Sequence, residues 1–273
     1  MERPVTTDPR PVQWLQENRN LRLDANVDLF PEERRRFHLA RYEFARSYCQ
    51  GKQVLDGACG TGYGSNILGD VAREVIGIDC SVDAISYAKA SYGKAHVHFQ
   101  KSFVESTPFP SDSFDVVVSF ETVEHTLCPE SHIMEMARLL EPTGGLAVLS
   151  VPNAWGLTDH HFLDFDMSLL EKIIAPYFGG IRFYYQNPES HPRMPGIGEL
   201  KSAATQDAQC ILAVCSSPQK QNVVADRNTF IMDEIYRVAF GRHHEYLAMA
   251  YRQNTSLTRR ALNRLRSMTQ ASQ

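Results

Sequence analysis

The sequence predicts an α/β fold, a parallel sheet covered by helices on both faces, and two observations carry that expectation. Short apolar runs of strand length alternate with helical patterns from Val54 to Leu149, the order that builds a parallel sheet. The first such run, Val54-Leu55, ends in an acid, Asp56, and enters the turn Gly57-Ala58-Cys59-Gly60-Thr61-Gly62-Tyr63-Gly64, which marks a strand-to-helix junction where a ligand is expected at the strand's carboxyl end.

In chain order, residues 1–30 are proline-marked with little periodicity and read as an arm draped on the domain or mobile. Pro31-Glu32-Glu33 opens a helix, with proline and acids in the first turn as the macrodipole favours. In the glycine turn, Gly60, Gly62 and Gly64 allow positive φ and close approach of a ligand to the backbone. A dinucleotide fingerprint is excluded, because Ser65 stands where the third glycine belongs and a carboxylate at Asp56 would repel a pyrophosphate. That carboxylate suits a ligand bearing positive charge, such as the ammonium and sulfonium of S-adenosylmethionine, whose own carboxylate is left for helix-end N–H groups. The alternative is a tight connection with no ligand.

Val75-Ile76-Gly77-Ile78 is the second strand, ending in Asp79 roughly twenty residues after the glycine turn, the spacing at which an acid meets a ribose diol. A cap for the next helix is the other reading of Asp79, but Ser81 can do that alone. The fourth strand, Val116 to Val118, leads into Ser119-Phe120-Glu121-Thr122-Val123-Glu124-His125; if the chain turns helically there, Glu121 shares a face with Glu124 or His125. Glu141-Pro142-Thr143-Gly144-Gly145 is a turn into a fifth strand, Leu146 to Val151, followed by His160-His161 and Asp164-Phe165. Met167 to Tyr177 is helical. Ile181 to Tyr185 and Cys210 to Cys215 are the last strands, joined by a polar loop, Asn187 to Asp207, long enough to cover a substrate. Helical spacing from Phe230 to Ala239 and a basic tail suggest a helical extension over 217–273.

The segments VLDGACGTGYG, VIGIDCS, STPFPSDSFDVVVSFETVEH and LLEPTGGLAVLSVPN, in that order between Phe37 and Ser216, resemble the class I, seven-stranded S-adenosylmethionine-dependent methyltransferases. The resemblance implies a doubly wound, mostly parallel seven-stranded domain over 31–216, with S-adenosylmethionine as cofactor and S-adenosylhomocysteine as product. It implies that Asp56, Gly57, Ala58, Gly60 and Gly62 hold the methionine moiety, that Asp79 with Cys80 holds the ribose, and that Phe103, Val104 and Phe120 lie against the cofactor. Many relatives carry an acid near the adenine where this chain has Ser102-Phe103. The helix His38 to Ala45 is similar to one that lies beside the cofactor, so Tyr42 either closes over it or packs in the core.

The Glu121, Glu124, His125 group has three readings: His125 as general base for a hydroxyl, with the two acids beside it; Glu121, Glu124, His125 and His161 as a divalent metal site, as in ubiquinone-pathway and small-RNA 3′-end 2′-O-methyltransferases, whose mixed ligands suit Mn²⁺, Co²⁺ or Zn²⁺; or a structural cluster. The base is the favoured reading. For the acceptor, a sugar, glycan or glycosylated small molecule is the expectation, because the upstream helix, the His161 region and a faint match of TFIMDEIYRVAFGR to a small helical module look like bacterial surface-polysaccharide enzymes. Small-RNA or quinone-pathway O-methylation, and an idle cofactor-binding subunit that docks a partner, are the alternatives. The formal charge of −4 speaks against nucleic acid. Six cysteines without a C-x-x-C pair and no apolar run of about 18 residues fit a cytoplasmic protein with no membrane span. Homodimerisation through the C-terminal helices is a further expectation.

Overall fold

The computed structural model describes residues 10–18, 22–126, 128–156, 161–187, 196–199 and 208–219. Strands β1 (Gln53–Gly57), β2 (Glu74–Asp79), β3 (Val97–Lys101), β4 (Val116–Phe120) and β5 (Leu146–Pro152) pair in parallel. Strands β6 (Phe178–Asn187), β7 (Gly196–Glu199) and β8 (Cys210–Pro218) complete one eight-stranded sheet of order β3-β2-β1-β4-β5-β8-β6-β7. The last three join it antiparallel.

The α/β, mostly parallel expectation holds, and the six strands that the pattern located lie where it put them; β3 is the third strand, which the alternation implied without placing. The eighth, β7, falls inside the stretch read as the loop Asn187 to Asp207; most of that loop, and the residues after Gln219, lie outside the described residues. The expected extension 217–273 is therefore visible only at its start, where Ser217 and Pro218 continue β8.

Helices α2 (Glu32–Arg46), α3 (Tyr63–Gly69), α4 (Val82–Tyr92), α5 (Pro129–Leu139) and α6 (Met167–Ile174) cover the sheet. The strands are apolar on both faces because both are covered. On β4, Val116 and Val118 join Val54, Leu68, Val75 and Ile85 in one core, whereas Val117 faces Leu55, Ile133, Leu149 and Ile174 in the other. Chain order reverses about β1, which pairs with β2 on one side and β4 on the other, so a crevice opens at the carboxyl ends of these strands.

The proline-marked arm contains a helix the periodicity did not reveal, α1 (Arg10–Glu17), with Pro11 tolerated in its first turn. Leu15 and Phe30 pack on Tyr87, and the buried Asp24 carboxylate accepts from Tyr87 Oη at 2.9 Å and Tyr92 Oη at 2.8 Å. These contacts seat the arm on α4 and carry Arg22 to the crevice.

Candidate functional site

Three glycines of the first turn have three different reasons to be glycine. Gly60 holds φ +56 and a Cβ there would meet nothing within 4 Å, so the residue gives the turn its shape and leaves open space over it. Gly62 holds φ +84 as the residue before α3, and its missing Cβ makes room for Phe99 and Ala88. Gly64 does not need positive φ; a Cβ there would run into the ring of Tyr42. The close approach expected of a ligand is at this position made by the protein itself. Ala58, not Gly64, takes the further positive φ, at 56°.

The two strand-end acids differ in surroundings. Asp56 is fully buried, accepting from Ser65 Oγ at 2.6 Å and Tyr42 Oη at 3.3 Å. Burial pushes its carboxyl up to about 7, against the pull of those hydrogen bonds. The carboxylate expected at the mouth of the turn instead points into the core, bracing α2 and α3 against β1. Asp79 lies at the crevice and accepts from Gly60 N–H at 3.1 Å, Ser81 N–H at 2.9 Å and Arg22 Nη2 at 3.3 Å. Ser81 caps α4, its Oγ accepting from Ala84 N–H at 3.2 Å, so Asp79 is not needed as the helix cap.

Two adjoining cavities occupy the crevice. The smaller, about 290 Å³, is lined by Asp79, Cys80, Phe103, Val104 and Glu105; the larger, about 520 Å³, by Tyr42, Gly60, Phe120, Arg41, Trp155 and His161, among others. Ala58, Arg22, Glu121 and His125 line both. Asp56, Gly57 and Gly62 line neither. Tyr42 is 6% exposed, with its ring edge-on to Tyr63 and Phe120, so it packs in the core, one of the two readings expected of it, and it also forms part of the larger cavity's wall.

After β4 the chain does not turn helically at once. Glu121 takes φ +49, and a 3-10 turn follows over Val123–His125. The helical face expected to bring Glu121 to Glu124 or His125 therefore does not form at Glu121, although the three residues line one cavity. The Glu121 carboxylate accepts from Ser150 Oγ at 2.7 Å and faces Arg41 Nη1 at 3.3 Å. Glu124, His125 and His161 do come together, with one ligand atom from each lying within 4.8 Å of the others, and the two imidazoles meet edge to face with centroids 4.9 Å apart. Glu124 is 1% exposed, and Oε2 has no hydrogen-bond partner. Burial, reinforced by the charge of Glu121, drives its carboxyl well above the usual range. His160 lies outside the described residues.

Sequence reasoning missed Arg22, Arg41 and Glu105. Arg41 is 1% exposed, its Nη1 engaged by Glu121 while Nη2, also buried, has no hydrogen-bond partner. Burial works against its charge, but Glu121 and other neighbours outweigh that and raise its pKa. Glu105, 1% exposed, supplies an acid beside Phe103 and Val104, two residues past Phe103. Among the described residues no helix is long and apolar enough to cross a membrane.

Residues 55–148 match the family model described as a methyltransferase domain. A probable S-adenosylmethionine-dependent methyltransferase of Mycobacterium tuberculosis is 35% identical over 218 residues, which cover 77% of this chain and 78% of that protein. One from Mycolicibacterium smegmatis is 36% identical over 118 residues, 43% of this chain and 45% of the other. Among solved structures, a Thermotoga maritima S-adenosylmethionine-dependent methyltransferase superposes with a TM-score of 0.56 at 15% identity, covering 68% of this chain and 91% of that one, which shows the shared fold. With that mycobacterial relative 35% identical over 77% of this chain and 78% of its own length, the chain belongs to the S-adenosylmethionine-dependent methyltransferases.

Proposed function

We propose that this methyltransferase acts on a hydroxyl of a sugar or of a glycosylated small molecule, with His125 as the group that takes the hydroxyl proton. The observation that carries the reading is the opening of the glycine turn and of His125 onto the same space, since Ala58 and His125 line both cavities.

The residues suit the cofactor. Arg41 Nη2, buried at the larger cavity without a hydrogen-bond partner, matches the methionine carboxylate, and Glu121 holds Arg41 in place. The open backbone at Gly60 and Ala58 receives the rest of the methionine moiety. Asp79 accepts the ribose hydroxyls, exchanging Arg22 for them or sharing its two oxygens, and Phe103, Val104 and Cys80 enclose the adenine with Glu105 beside it. Asp56, Gly57 and Gly62 shape the turn from behind. When bound, the cofactor supplies a methyl group made electrophilic by the sulfonium.

His125, 43% exposed, is accessible to an acceptor. Its Nε2 lies 3.7 Å from Glu124 Oε1, so the imidazolium that forms when the hydroxyl proton arrives draws the raised carboxyl of Glu124 towards its ionised form, and the resulting pair steadies it. A second reading is favoured by one observation, the meeting of Glu124, His125 and His161: a divalent cation there would lower the hydroxyl's pKa. Glu121, the fourth donor of that reading, is engaged by Arg41 and Ser150.

The reading is tested by supplying methyl-labelled S-adenosylmethionine with a panel of methyl glycosides and, separately, catechol, after chelator treatment. Label is expected in a glycoside ether, lost in His125→Gln without loss of S-adenosylhomocysteine binding. Label in catechol alone contradicts the acceptor class, and transfer that vanishes on chelation and returns with Mn²⁺ favours the metal. No transfer to any acceptor by a protein that binds cofactor would mark an idle subunit.

A further inference from the structure

Trp155 is 55% exposed, one of two large hydrophobic side chains so open among the described residues, and it lines the larger cavity. Its backbone is not loose. Ala154 and Gly156 on either side both hold positive φ, 53° and 81°, a conformation that strains the alanine. Ala154 N–H donates to Phe165 O at 2.7 Å, and Gly156 N–H donates to Asp164 Oδ1 at 2.9 Å. One residue earlier, Asn153 is tied to the residues that lead into β8, through Gln209 O at 2.9 Å and Ala208 O at 2.8 Å. The fold thus fixes both neighbours of an indole that it leaves uncovered, and strain held beside an exposed aromatic calls for a ligand.

We propose that Trp155 is the platform on which the acceptor's pyranose ring lies, which deepens the sugar reading above and rests on it. The indole presents a flat apolar face, suited to the C–H face of a sugar ring. The wall of the same cavity also includes Glu33, Arg34, His161 and Gln209, polar groups suited to hydroxyls at the ring's edge. A planar phenol would offer fewer hydroxyls to those groups than a sugar ring while excluding water from them. A ring on Trp155 shares the cavity with His125, so the platform also selects which hydroxyl reaches the base.

The chain has two tryptophans, and the other, Trp14, packs on Tyr87 of α4, so Trp155 is the sole tryptophan of a Trp14→Phe variant. That protein, saturated with S-adenosylhomocysteine, is titrated with methyl glycosides of hexoses, deoxyhexoses and pentoses and, separately, with catechol, while emission is recorded. The expected result is a saturable change with at least one glycoside. Trp155→Ala should then lower that glycoside's affinity by about tenfold in ligand-observed NMR, and Trp155→Tyr should recover most of it, with S-adenosylhomocysteine affinity unchanged in both. A glycoside that is methylated, yet neither alters Trp155 emission nor responds to Trp155→Ala, would overturn the platform and leave the sugar reading standing. A response to catechol alone, or to no probe at all in protein that binds S-adenosylhomocysteine, would overturn both.

Discussion

Arg41 Nη1 stands 3.3 Å from Glu121 Oε1, joining the helix that precedes the glycine turn to the end of the fourth strand. Glu121 reaches that position through a backbone at φ +49 and the hydroxyl of Ser150. The pair leaves Arg41 Nη2 buried and unengaged, so one guanidinium nitrogen is braced and the other is ready for a carboxylate.

Arg41→Ala should therefore weaken S-adenosylhomocysteine binding by about 1.5–3 kcal/mol, the range for a hydrogen bond to a charged group. Calorimetric titration measures it, and methylthioadenosine, which lacks the amino-acid moiety, supplies the control. Equal losses for both ligands would contradict a carboxylate role.

Asp79→Ala should cost about 1–3 kcal/mol of affinity for S-adenosylhomocysteine and for methylthioadenosine alike, because both carry the ribose. A dissociation constant unchanged for either nucleoside would remove the ribose assignment.

Two glycine substitutions should separate folding from binding. Gly64→Ala forces Tyr42 to move and should destabilise by about 1–3 kcal/mol in urea denaturation. Gly60→Ala meets no neighbour and should cost about 1–2 kcal/mol through its positive φ, with the larger proportional loss in cofactor affinity. The reverse ranking in cofactor affinity would place the ligand elsewhere.

Asp56 gives the stability curve a direction. Its folded-state pKa, raised from 3.8 to about 7, means that the native state holds a proton the unfolded chain has released. Its contribution is fully present below 3.8 and is lost as pH rises through about 7. Asp56→Asn stays neutral, so the melting temperature of the wild type relative to this variant should fall across that window. A constant difference would show that Asp56 titrates normally.

The sheet and the two strand-end acids were legible because they are written locally: apolar runs, a glycine turn, and acids at fixed offsets. Arg41, Arg22 and Trp155 were not, because their significance lies in partners far along the chain or in exposure, and periodicity reports neither. The helical spacing imagined for Glu121 and Glu124 failed for a physical reason, since Glu121 leaves β4 with positive φ and so points at Arg41 before the 3-10 turn begins. The inward turn of Asp56 was similarly hidden, because its partners, Ser65 and Tyr42, belong to the two helices that flank its strand.

Titration of chelator-treated protein with S-adenosylhomocysteine, repeated with Mn²⁺ added, tests the central claim most directly: a cofactor site built by Arg41, Gly60 and Asp79 beside a base that needs no metal. Micromolar binding that is the same with and without Mn²⁺ is the predicted result. Absence of binding would contradict the cofactor site itself, whereas binding that appears only with the cation would give Glu124, His125 and His161 to a metal.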